Sequence, residues 1–223
     1  LLFAVIVTMC SCEKTNTGIR GEYKNQTEDV SVSSSYEITS SADDFSLGKI
    51  SANVYENDFI GIGYKLDESW SFYDDEQIKT MNNLTADMAG DENEEIMKNA
   101  NLVYDMYATD NESPNNINII LEKATSLQLS TFNIEDLFNS TVPIIKDSLE
   151  NMGCENINFE IGSVEVDGKT IDAIHTTSEL SGVKMYQTSF QIKCKGYIAN
   201  ITLTTCYENT ISQLLDNFYW LEQ

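Results

Sequence analysis

Apolar and polar residues alternate most strictly late in the chain, where Tyr186, Thr188, Phe190, Ile192 and Cys194 interleave with Gln187, Ser189, Gln191, Lys193 and Lys195. A period of two sends successive side chains to opposite faces, so this stretch predicts a strand with one face buried and one face wet. Lys195-Gly196 then turns the chain into a partner strand carrying Tyr197, Ala199, Ile201 and Leu203. Upstream, Ile157, Phe159 and Ile161 alternate in the same way, and Gly162 shifts the phase as a bulge would. Asp167-Gly168 is a hairpin signal leading into a strand over residues 169–177. Together these segments predict an antiparallel meander.

Elsewhere the period lengthens. Ile134, Leu137, Phe138, Thr141, Ile145, Leu149 and Met152 recur at three- and four-residue steps, which predicts a helix over residues 133–152. Asn133 suits its N-cap and Gly153 its end. Pro143 lies inside and removes one backbone hydrogen bond, so a kink or break is expected near Asn139. Asp74 with Gln77 reads as a capping box opening a short helix. A last helix is expected after Asn209, with Ile211, Leu214, Leu215 and Phe218 as its apolar stripe.

Shorter strands are expected over residues 49–55 and 59–65, around a turn at Glu56-Asn57-Asp58, and over 102–108 and 117–122, around the turn-rich stretch 109–116. The polar, acidic stretch 82–99 reads as loop plus helix. The predicted fold class is α+β: an antiparallel β-sheet packed against helices in a sandwich. It forms one domain over residues 47–223, with no internal repeat and an expected monomeric state.

The first dozen residues, Leu-Leu-Phe-Ala-Val-Ile-Val-Thr-Met-Cys-Ser-Cys, change the picture of where this domain works. An apolar run ending in small residues and cysteine, followed at once by Glu13, Lys14, Thr15 and Asn16, has the shape of a secretory signal and cleavage site. The run is shorter than the roughly 20 apolar residues that span a bilayer. Residues 1–12 are read as a truncated bacterial lipoprotein signal, with Cys12 as the lipidated residue because the small Ser11 precedes it. Cys10 is the competing acceptor, and the end of an N-terminal membrane helix is the alternative to a signal. Residues 13–46 are rich in Ser, Thr, Asn, Asp and Glu and lack a sustained apolar period, which predicts a flexible tether. The expected location is extracytoplasmic, anchored to a bacterial membrane by lipid alone.

Thirteen basic residues against 36 acidic ones give a net charge of −23. That balance disfavours nucleic acid, which needs basic groups to neutralise phosphate. The densest acidic run, Asp91-Glu92-Asn93-Glu94-Glu95, lacks the spaced oxygen ligands and central glycine of a calcium loop. Beyond the signal lie Cys154, Cys194 and Cys206, without a C-x-x-C spacing and with one histidine in the chain, so no metal and no cofactor is expected. The strands predicted for Cys194 and Cys206 are neighbours, which leaves one disulfide open alongside buried thiols.

The order of elements, with Gly61-Ile62-Gly63-Tyr64-Lys65-Leu66-Asp67-Glu68-Ser69-Trp70 running into a short capped helix, resembles the PsbP/Mog1/DcrB-like domains of bacterial lipoproteins. Trp70 matches the tryptophan of their Pro-x-x-Trp-like segment and Phe72 the apolar residue after it, whereas Leu66 and Asp67 stand where the proline is usual. The resemblance implies an antiparallel sheet packed between helices and a binding or accessory role without catalytic residues.

The chemistry-bearing residues point the same way. His175 shares a strand face with Ile171 and Ala173 and is expected to be a hydrogen-bonded structural histidine. It has no G-x-S-x-G elbow to serve, although a pair with Cys154 or Cys194 stays open. Gly61 and Gly63 lack the third glycine and following helix of a dinucleotide fingerprint. Aromatic residues gather in the first half, and Trp70, Tyr73, Tyr104 and Tyr107 are the candidate ligand-binding set, since Tyr and Trp dominate binding hot spots. The expectation is a non-enzymatic envelope module whose partner is an envelope protein or a small ligand. An envelope hydrolase and a carrier of a small apolar ligand are the alternatives.

Overall fold

The computed structural model describes residues 45–82, 102–131, 133–194 and 196–222. The expected signal with Cys12, nearly all of the tether, and most of the acidic stretch 82–99 lie outside the described residues. The fold is α+β and dominated by antiparallel strands in two sheets. The small sheet has the order β1-β2-β3-β11, from β1 (Lys49–Ser51), β2 (Val54–Asn57), β3 (Ile62–Lys65) and β11 (Phe218–Trp220). The large sheet comprises β4 (Trp70–Phe72), β5 (Leu102–Asp110), β6 (Asn116–Lys123), β7 (Cys154–Val166), β8 (Lys169–Leu180), β9 (Val183–Cys194) and β10 (Tyr197–Cys206). Its order is β4-β5-β6-β10-β9-β8-β7. The described helices are α1 (Asp75–Met81), α2 (Ser126–Thr131), α3 (Ile134–Asn151) and α4 (Ile211–Leu215).

The expected meander forms the long half of the large sheet. Asp167-Gly168 and Ser181-Gly182 all take positive φ, the mirror-image turn geometry that suits the twist of paired strands. The alternation of β9 is realised: Phe190 is buried and stands in register with Ala173 on β8 and Ile201 on β10. These residues face the small sheet and share one core with Tyr55, Ile62, Tyr64 and Phe218. The Phe190 and Phe218 rings meet edge to face with centroids 6.0 Å apart. Leu203, Ile211 and Leu214 are buried in the same core. Fully burying a side chain of this size stabilises by about 1.5–3 kcal/mol, so the space between the sheets dominates the favourable side. Phe45 also packs here, its ring 4.9 Å from that of Tyr197, so the packed chain already includes residue 45.

Four local expectations are corrected, and the open question of a cysteine bridge is closed. The expected strand over 49–55 is two short strands, β1 and β2, turned at Ala52, whose φ is +54°. Gly162 causes no bulge, since it stays in register with Ala173; the irregularity in β7 lies between Glu155 and Asn158. Gly162 is small because the His175 ring lies over it, and a Cβ there would come within 2.7 Å of that ring. α3 runs unbroken through Pro143, capped by Asn133, whose side chain accepts from the Glu135 amide. Its inward row of Leu137, Thr141, Ile145 and Leu149 is what holds it together.

The C-terminal helix is only five residues long, and Phe218 belongs to β11, which pairs with β3. Gly63 of β3 lies under the Tyr219 ring, where a Cβ would approach to 2.3 Å, so the G-x-G is a packing device. The cysteine bridge is ruled out by register. Cys194 faces Tyr197 at one end of the β9–β10 hairpin and Cys206 faces Met185 at the other. Nine residues of strand separate those ends, about 30 Å.

Candidate functional site

The four candidate aromatics do not form one site. Trp70 packs against the core between the sheets, and it also lines a shallow surface groove with Ile50, Leu66 and Tyr73. Tyr104 and Tyr107 are buried on the other face of β5, away from core residues Val103, Met106 and Ala108. Tyr73, past the end of β4, reaches round to Tyr107, with ring centroids 4.4 Å apart. The Asn82 side chain, at the end of α1, bonds both the amide and the carbonyl of Tyr104, at 2.8 and 2.9 Å. Burial pushes the Tyr104 hydroxyl well above the usual tyrosine range. The loop beside Trp70 is tightly built: Asn111 bonds the Ser69 carbonyl, and the Asn115 side chain accepts from the Cys206 amide at 2.8 Å.

His175 lies on β8 with its Nδ1 2.9 Å from the Thr188 hydroxyl. It borders an open hollow with Ser163, Glu165, Asp167 and Asp216. The strand register keeps both candidate thiols away from it. Cys154 is opposite Leu180, five residues along β8, and Cys194 lies six residues along β9 from Thr188. Those offsets correspond to about 16–20 Å of strand, far beyond a thiolate–imidazole contact. Burial also pushes the Cys194 thiol up to about 12. Among the described residues, no group of His, Cys, Asp and Glu is arranged to hold a metal ion. No described helix is long and apolar enough to cross a membrane.

A more enclosed hollow lies elsewhere, between α3 and the outer face of the large sheet. α3 packs along β7 and touches β8, burying Ile145 and Leu149 with Cys154 and leaning on Phe159 and Leu180. Toward β9 and β10 it lifts away and leaves a cleft of about 380 Å³. Ile134, Leu137, Thr141 and Ile145 line its helix side. Its sheet side is the polar row of β9 and its neighbours on β10, joined rung by rung. Gln187 donates to Thr204 at 3.2 Å, Ser189 and Thr202 are 3.1 Å apart, and Gln191 donates to Asn200 at 2.5 Å. Lys193, at the end of the row, donates to the Leu129 carbonyl of α2 at 3.0 Å.

Two polar atoms in this cleft have no partner among the described residues: the Thr141 hydroxyl and the Gln191 side-chain oxygen. Thr141 is only 3% exposed. A buried polar atom without a partner is costly, and such atoms are few in folded proteins. The helix side is otherwise aliphatic, and the sheet side carries two charged residues, Asp172 of β8 and Lys193 of β9, both exposed.

No family model matches the chain, and no curated protein matches it.

Sequence reasoning missed the cleft although it named both of its walls. Thr141 stood in the inward helical row, and Gln187, Ser189 and Gln191 in the face expected to be wet. The available signal was the composition of that face, uncharged at Gln187, Ser189 and Gln191 and charged only at its end in Lys193 and Lys195, where a fully solvated face usually carries charges throughout.

Proposed function

We propose that this chain is a lipid-anchored, extracytoplasmic binding module of the bacterial envelope that holds a ligand without transforming it. The observation that carries the reading is the cleft under α3, with two buried polar atoms unpartnered, one on the helix above and one within a floor of self-paired amides and hydroxyls. Sites that bind small molecules are typically enclosed, mainly apolar, and supplied with a few placed polar groups. The proposal includes the finer architecture, a sandwich of sheet and helices on a flexible tether, and kinship with PsbP/Mog1/DcrB-like domains.

The test is a thermal-shift comparison of the purified protein with and without aqueous and organic extracts of bacterial envelopes. An extract should raise the melting temperature of the native protein and leave Ser189→Trp, which fills the cleft, unmoved. Turnover of ester, glycoside or peptide substrates that disappears in Asp172→Asn or His175→Ala would overturn the non-catalytic reading.

A further inference from the structure

We infer that the cleft under α3 takes an uncharged, mainly aliphatic molecule carrying one hydroxyl or primary amide, held between the Gln191 side-chain oxygen and the Thr141 hydroxyl. This rests on the reading of the domain as a binding module. Three facts select the ligand class. The wall from α3 offers Ile134, Leu137 and Ile145, so the ligand presents an aliphatic face there. The three rungs Gln187–Thr204, Ser189–Thr202 and Gln191–Asn200 turn the floor's amides and hydroxyls toward one another. Of the three buried side-chain polar atoms without a partner among the described residues, two belong to residues lining this cleft, one a pure acceptor and the other a hydroxyl able to donate; the third, the Thr205 hydroxyl, lies outside it.

A hydroxyl or a primary amide both donates and accepts, which matches that pair. A sugar carries many more hydroxyls than two, and each one enclosed without a partner weakens binding by about tenfold. A carboxylate has no hydrogen to give the Gln191 oxygen and meets a chain of net charge −23, and the one cation on the lining, Lys193, is exposed and already donates to the Leu129 carbonyl. An alkylammonium suits that net charge, but the carboxylate on the lining, Asp172, is exposed to water, and the single unpartnered amide oxygen inside cannot satisfy three donors and a buried charge. The cleft volume of about 380 Å³ falls in the usual range for small-molecule sites, about 300–1,000 Å³.

The experiment titrates the full chain with decanol, decanamide, decanoate, decylamine and maltose, following amide chemical shifts and melting temperature. Decanol and decanamide should bind, with shifts concentrated at residues 134–145 and 187–202. Thr141→Val and Gln191→Leu should each weaken that binding about tenfold, the worth of one hydrogen bond. Thr141→Val should also raise the melting temperature of the unliganded protein, because it removes a buried hydroxyl without a partner. That gain shows the variant is folded and separates lost binding from lost structure. Tighter binding of decanoate, decylamine or maltose than of decanol overturns the ligand class while leaving the binding module standing. Equal affinity in native protein, Thr141→Val and Gln191→Leu overturns the polar anchor. If no probe binds and envelope extracts are also silent, the inference and the reading beneath it both fall.

Discussion

Tyr55 donates its hydroxyl hydrogen to Asp105 across 2.5 Å, joining the second strand of the small sheet to the fifth strand, in the large one. Asp105 points into the core because β5 carries one extra residue there: Tyr104 pairs with Ile120 and Met106 with Ile119, which leaves Asp105 between them. Asn57 donates to the same carboxylate at 2.6 Å and the Gly48 amide at 2.8 Å. Three donors and a buried carboxylate thus fix how the sheets sit on each other.

Replacing Asp105 should therefore be costly. Asp105→Ala leaves the Tyr55 hydroxyl and the Asn57 amide buried without an acceptor, and should lose about 3 kcal/mol in urea unfolding. Asp105→Asn keeps one acceptor oxygen and should lose less. Burial holds the Asp105 carboxyl above its ordinary range, and its three donors pull it only part of the way back. Between the ordinary and the raised value, the folded chain binds more proton than the unfolded one. Stability contributed by this group should fall as pH rises through that window, and Asp105→Asn should abolish that slope. Identical pH profiles for native protein and Asp105→Asn would count against it.

Gly162 and His175 should behave as a coupled pair. A methyl group on Gly162 collides with the His175 ring, so Gly162→Ala should destabilise by about 1–3 kcal/mol. In a His175→Ala background the same change should cost much less, a coupling that a double-mutant cycle measures. Additive effects would mean that the ring simply moves aside. His175→Ala alone should shift stability and leave ligand retention in the α3 cleft unchanged.

Each of two buried leucines tests how its helix docks. Leu149 holds α3 against β7, and Leu214 holds α4 in the core between the sheets. Leu149→Ala and Leu214→Ala should each cost about 2–5 kcal/mol. A loss below about 0.5 kcal/mol at Leu214 would place α4 among peripheral elements, since surface changes usually fall in that range.

Labelled palmitate should be incorporated into the chain expressed with an intact lipoprotein signal, and Cys12→Ala should abolish it. Retention in Cys12→Ala with loss in Cys10→Ala would move the acceptor to Cys10.

The sequence alone determined the elements whose causes are local. The period of two in residues 186–194, the glycine turns at Asp167-Gly168 and Gly196, the capping box at Asp74 and Gln77, and the helical row from Ile134 to Met152 are each set by a few adjacent side chains. Tertiary structure decided whatever needed partners far along the chain. Phe218 fits a helical stripe as well as a strand, and only pairing with β3 made it part of β11. Asp105 looks like one acid among 36 until an extra residue in β5 turns it toward Tyr55. The row of Gln187, Ser189 and Gln191 reads as a wet face, and nothing beside it in sequence says that α3 lies over it. Local patterning specifies which side of a strand is polar; what covers that side depends on contacts between distant segments, which no short window of residues contains.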